Sequence, residues 1–163
     1  MKTSAHNYKV GIAHIIFTVV TILFWLYVGG SAIYSFSDFK GEINNQVFPI
    51  EVSAILIYAL PTVEIIIATL LVFEGTRYLG MKLSFLLMLG FTVYIALVFF
   101  GIFNRTPCSC AGLLGKNSTW ENNFMLNVLI TIIAGIGLLL TFKDKERRKI
   151  GMDTLVSHAH LTA

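Results

Sequence analysis

Four long uncharged or nearly uncharged runs alternate with short polar segments along this chain. From Val10 to Ser37 no Asp, Glu, Lys or Arg occurs, a run of 28 residues, where a helix crossing a bilayer needs about 20. A second run extends over 50–73, interrupted by Pro61 and Glu64, and a third, Leu83 to Asn104, is again free of charge. The fourth covers Asn122 to Phe142. The pattern predicts spans at about 10–34, 50–73, 83–103 and 122–142, and so a four-helix transmembrane domain over 1–142 with a basic tail over 143–163. The competing reading of the first run is a cleaved signal peptide. Lys2 and Lys9 suit its start and Gly29-Gly30-Ser31-Ala32 its cleavage site, but the apolar core exceeds the usual length of about 7–15 residues.

Between the runs, 38–49 reads as polar and turn-rich (Asp38, Lys40, Gly41, Asn44, Asn45), and Glu74-Gly75-Thr76-Arg77 as a tight connection. Pro49 suits the start of the second helix and Glu51 its positive end. Ser118-Thr119-Trp120-Glu121 reads as a capping box opening the fourth. Small and polar residues recur at helical spacing within each run. They are His14, Thr18, Thr21 and Trp25; then Ser53, Ile57, Pro61, Glu64 and Ala68; then Gly90, Tyr94, Leu97 and Gly101; then Asn127, Thr131, Ala134 and Thr141. Lipid offers no hydrogen bonds, and small residues allow helices to approach closely. These stripes therefore predict the inward faces of an all-α, antiparallel four-helix bundle.

Composition sharpens this picture. Of 163 residues, 56% are hydrophobic and 13% charged, against about 25% charged in an average soluble domain. A lipid bilayer is the first expected partner. No basic run is interleaved with aromatics, so no nucleic acid is expected. The terminal segments and the 75–82 turn carry nine Lys and Arg, the other connections three (Lys40, Arg105, Lys116). This bias places both termini in the cytoplasm of a bacterial inner membrane and the 105–121 loop outside, where disulfides form and persist.

That loop holds the only two cysteines, Cys108 and Cys110, one residue apart. A Cys-x-Cys disulfide closes a very small ring, and strain makes such a bond easier to reduce. The pair reads as a redox dithiol, with a static loop staple and soft-metal capture as alternatives. The other chemical candidate is Glu64, about 20 Å below the start of its helix at 1.5 Å per residue. A carboxyl at that depth is interior, paired or protonated. Tyr94 and Thr21 are expected at its level, one of them as its hydrogen-bond partner, making the three a candidate proton relay or a polar clasp between helices. No zinc-site spacing, phosphate loop or Ser/His/Asp set stands out, and no metal site is expected.

These marks, in order, resemble the MauE/DoxX-like bacterial membrane proteins over roughly 10–142. They are Lys40 after the first span, Pro61 and Glu64 in the second, Cys108, Cys110 and Gly112 after the third, and Trp120 and Asn127 at the fourth. The resemblance implies a four-helix membrane protein engaged in redox maturation of exported proteins, with MauE itself linked to a disulfide-rich methylamine dehydrogenase subunit. Related bundles, among them vitamin K epoxide reductase, couple thiols to a quinone, which is thereby the candidate cofactor. Ala111 departs from the aromatic residue or Gly of many members. The sequence holds no second cysteine pair, so a complete relay needs a partner or a lipid-borne oxidant. The expected function is an inner-membrane thiol–disulfide component, a candidate oxidoreductase, acting on a periplasmic thiol protein. The alternatives are a non-catalytic subunit or assembly factor of an envelope complex, and soft-metal handling.

Overall fold

The computed structural model describes residues 2–103 and 120–161, with side chains described for 12–103, 121–147 and Ile150. It contains α1 (Lys2–Tyr34), α2 (Phe36–Asn44), α3 (Ile50–Val72), α4 (Arg77–Phe99) and α5 (Trp120–Leu161). Four of these are long and apolar enough to cross a membrane, over Ile12–Tyr34, Ile50–Val72, Arg77–Phe99 and Glu121–Arg147. The chain is a multi-pass membrane protein, and its outer surface is what lipid requires: Leu23, Ile55 and Leu139 are each more than half exposed.

The long helices form a ring in which α1 and α4 each pack on both α3 and α5. Neighbours run antiparallel, as paired contacts show. Along α4 and α5, Met81 meets Gly137, Met88 O accepts from Thr131 Oγ1, and Phe99 stacks on Phe124. Along α1 and α3, Gly29 meets Glu64 and Ile65, and Phe36, just past α1, meets Tyr58. Gly29 is required for that approach, because a Cβ there would stand 3.1 Å from Ile65 Cδ1 and 3.3 Å from Glu64 Cβ.

The α3–α4 connection is capped by its own side chains. Thr76 Oγ1 donates to Leu70 O (2.8 Å) and Arg77 Nε to Leu71 O (3.2 Å), satisfying carbonyls that the end of α3 leaves open. At its other end α4 closes on Gly101, at φ +69°. Ile102 N–H reaches Leu97 O and Gly101 N–H reaches Val98 O, the paired bonds of a Schellman cap.

Core and void are separated along the bundle axis. Toward the Gly75 turn, Trp25, Ile67, Ala68, Leu71, Met81 and Met88 form a packed cluster. Trp25 Nε1 donates to Ser84 Oγ across it (2.7 Å), joining α1 to α4 on the ring's diagonal. Toward α2 the helices leave space between them.

Three sequence expectations need correcting. The 38–49 segment is not all turn: Phe36, Phe39 and Ile43 repeat at helical spacing, and α2 buries Ile43 against the bundle. The inward face of α4 is only partly Gly90, Tyr94, Leu97 and Gly101: Gly90 and Tyr94 line the space between the helices, and the other two do not. Leu97 is 36% exposed and Gly101 is a helix cap. Gly80, Met81, Ser84, Met88, Ile95 and Val98 are buried instead. Small size marked close approach on α1 but a cap and an open wall on α4. Finally, the residues after Phe142 continue α5 to Leu161, since 143–161 holds no proline and many good helix formers. The stripes on α1, α3 and α5 are buried or half-buried as expected.

Candidate functional site

Cys108, Cys110 and Gly112 lie outside the described residues. The described residues before and after that segment border a single feature. Before it, the Phe103 ring lies 6.3 Å from that of Tyr94; after it, Asn123 is buried in the second turn of α5. Tyr94 and Asn123 both line a cavity of about 610 Å³ inside the α2 half of the bundle.

The walls are mainly apolar and aromatic. Phe24, Phe39, Phe48, Phe91 and Tyr94 contribute rings, and Leu56, Leu60, Leu86 and Leu87 contribute aliphatic surface. Polar groups gather at the α2 end, where Ser35, Asp38, Glu42 and Gln46 come from α1, α2 and the segments beside them and Asn123 and Asn127 from α5. Tyr94 Oη donates to Gln46 Oε1 at 2.7 Å, while its ring stacks on Phe48 at 5.0 Å. Through these contacts α4 holds the segment between α2 and α3 across the cavity mouth. Asn127 Nδ2 donates to Asn123 O (3.0 Å), and Thr131 and Thr92 share a hydrogen bond one turn further along (2.7 Å).

Glu64 also lines the cavity. It is 3% exposed, and its Oε2 has no hydrogen-bond partner. The expected bonds to Tyr94 and Thr21 are not made: Tyr94 donates to Gln46, and Thr21 Oγ1 donates to Phe17 O in its own helix (2.8 Å). The reason is depth. Glu64 stands 8 residues from the end of α3 and Tyr94 17 from the start of α4, or about 12 and 25 Å from the same turn. Thr21 lies two turns before Gly29, the α1 residue beside Glu64, and so about 12 Å away in the opposite direction. Level helices were the faulty premise, for α1 begins at Lys2 and extends well past the Gly75 turn.

The remaining positions are spread out. Lys40 is exposed on α2, Pro61 is buried one turn from Glu64 within α3, and Trp120 is the first residue of α5. Sequence reasoning missed Gln46, Phe48 and Phe91 as site residues. Gln46 carried a usable signal, being a polar residue in a segment flanked by Ile43 and Phe48. Among the described residues, no three His, Cys, Asp or Glu side chains come together as a metal site would need.

The arrangement is a ring-walled pocket with a buried glutamate among its lining residues and its other polar lining groups toward the α2 end of the bundle. The model of the MauE family, "Methylamine utilisation protein MauE", matches residues 10–140. No curated protein and no solved structure matches the chain.

Proposed function

The chain belongs to the MauE family, and on that premise we propose that it is a thiol–disulfide component of a bacterial inner membrane that assists maturation of exported proteins. The observation that supports this reading is that the chain enters and leaves the cysteine segment at the end of the bundle where the cavity has its polar lining. The segment with both cysteines lies between Phe103 and Trp120 in the chain, and Tyr94 and Asn123, near those two positions, line the aromatic cavity. The family's association with methylamine utilisation supports a maturation role, because the dehydrogenase of that pathway contains a disulfide-rich subunit.

In this reading the Cys108–Cys110 disulfide exchanges with a dithiol on an exported partner. The partner leaves with one new disulfide, and the loop is left with two thiols. Atoms and electrons balance in that exchange. Restoring the loop disulfide requires an acceptor of two electrons and two protons, and a membrane quinone supplies that chemistry. The cavity offers such a guest apolar and aromatic walls, with Glu64 among the lining residues. Both termini lie in the cytoplasm, following the excess of Lys and Arg at the termini and the 75–82 turn.

Attack requires the thiolate, so exchange accelerates as pH rises through the thiol range. Replacing Cys110 with Ala removes the resolving sulfur. Cells expressing Cys110→Ala are expected to accumulate a mixed disulfide on Cys108 that disappears on reduction. If no covalent partner forms and exported proteins keep their disulfides, the reading fails.

A further inference from the structure

At the end of the bundle that carries the Gly75 turn, two lysines flank one tyrosine on the seam between α4 and α5. Tyr78 is half-buried in the first turn of α4, and its ring lies 6.2 Å from that of Phe142 on α5. Lys145, one turn beyond Phe142, places its Nζ 4.8 Å from the centre of the Tyr78 ring, a cation–π contact. Lys82 follows Tyr78 by four residues and so shares its face of α4.

Lys82 falls inside the span Arg77–Phe99, about 7 Å past its start at 1.5 Å per residue, and it is exposed. Below it Leu86, Leu89 and Val93 continue the same stripe at i+4, i+7 and i+11, and each is exposed to lipid. From Lys82 to Val93 the stripe runs about 16 Å, roughly the depth of one leaflet. A lysine on such a surface is tolerated when its stem lies along the apolar face and the ammonium reaches the interface. The near interface is the Tyr78 end, so this carries the Lys82 ammonium toward the ring that Lys145 covers.

Neither charge is neutralised by the protein. Among the described residues, neither Lys82 nor Lys145 has an ion pair, and the nearby Glu74 pairs with Arg77 (3.9 Å). On α5 the acids Asp144 and Glu146 stand about 100° to either side of Lys145. The positions that share its face, Thr141, Phe142, Arg148 and Lys149, include no acid.

Two uncompensated ammonium groups at the membrane surface, above an apolar stripe one leaflet deep, match an anionic phospholipid. Its phosphate meets the lysines and its chains meet the leucines, whereas a zwitterionic lipid brings its own cation beside the phosphate. We infer that the seam of Lys82, Tyr78 and Lys145 binds the head group of an anionic phospholipid, with an acyl chain along Leu86, Leu89 and Val93. With the termini in the cytoplasm this is the inner leaflet. The site is independent of the thiols and of the cavity.

The full chain in dodecyl maltoside is titrated with dioleoylphosphatidylglycerol or dioleoylphosphatidylcholine, and native mass spectrometry counts the lipids retained. A lysine beside an anionic head group is worth about fivefold, so the first phosphatidylglycerol is expected to bind about twentyfold tighter than the first phosphatidylcholine. Lys82→Gln and Lys145→Gln are each expected to weaken it about fivefold, and the two together to abolish the preference. The double change to Arg keeps both charges and is expected to keep the preference. All these side chains are exposed, so melting in phosphatidylcholine is expected to stay at the parent value. Lys143→Gln is the control for diffuse charge: Lys143 is exposed on the same helix, about 160° round from Lys145, and its loss is expected to leave affinity unchanged. Equal affinity for the two lipids overturns the inference. So does a loss in Lys143→Gln that matches Lys145→Gln. Glycerol phosphate, the same anion without chains, is expected to compete only at far higher concentration. Competition at the lipid's own concentration assigns the site to a soluble phosphate and overturns the inference as well.

Discussion

Two buried polar side chains in this bundle have opposite fates, and they make opposite predictions. The Trp25 indole is fully buried and donates to Ser84 Oγ at 2.7 Å. Ser84→Ala strands that N–H in the core, and the expected cost is about 1–2 kcal/mol. Unfolding in mixed micelles checks it, with Trp25 emission as a second readout. Glu64 is buried without a bond to Oε2, so Glu64→Leu removes an unpaired group and keeps comparable volume. That variant is expected to unfold no earlier than the parent, measured in the same way. A carboxyl that served as a clasp between helices would behave like Ser84, and early unfolding of Glu64→Leu would restore that role. Thr21 and Thr141 return their hydroxyls to the carbonyl four residues earlier. They are satisfied within their own helices.

At the scale of elements, approach distance decides what each helix can do. Gly29 lets α1 sit against α3 at the level of Glu64. Gly29→Val adds methyls where even a Cβ comes within 3.1 Å of Ile65, and overpacking of this kind costs about 1–3 kcal/mol. A lowered melting temperature is the expected result, and an unchanged one would mean that α1 and α3 are not in register as described. The contrast with Gly90, whose Cβ has open space, separates a packing glycine from a wall glycine on the same bundle. Helix α2 is the element that the polar character of 38–49 concealed. Its nine residues bring Asp38, Phe39, Glu42 and Ile43 to the cavity, and Ser53 Oγ reaches Ile43 O across to α3 (3.5 Å).

For the whole molecule, the division into a packed half and an open half follows from where large side chains fall. Trp25, Met81, Ile67 and Leu71 fill the space between the helices on the Gly75 side of Glu64, while the α2 side is spanned by the contact between Tyr94 and Gln46. Orientation in the bilayer is set by charge outside the spans, and the nine-to-three excess of Lys and Arg predicts termini in the cytoplasm. An impermeant maleimide applied to intact reduced cells is expected to label Cys108 and Cys110. A cysteine placed at Ser157 in a chain lacking both should react only after the membrane is opened. The reverse pattern would remove the loop from the oxidising side and the proposed exchange with it.

Membrane residence, the number of spans and the inward stripes on α1, α3 and α5 were legible in the chain, because each rests on a local property. A run of about 20 apolar residues must span, and a polar residue within it must turn from lipid wherever its neighbours lie. Depth was not legible. Whether Glu64, Tyr94 and Thr21 meet depends on how far each helix slides along its neighbours, and that is decided by contacts such as Gly29 on Ile65 and Trp25 on Ser84. The cavity was equally hidden, because an empty space belongs to no residue. It arises where five segments fail to fill the volume between them, which is a property of their packing and not of any stretch of chain.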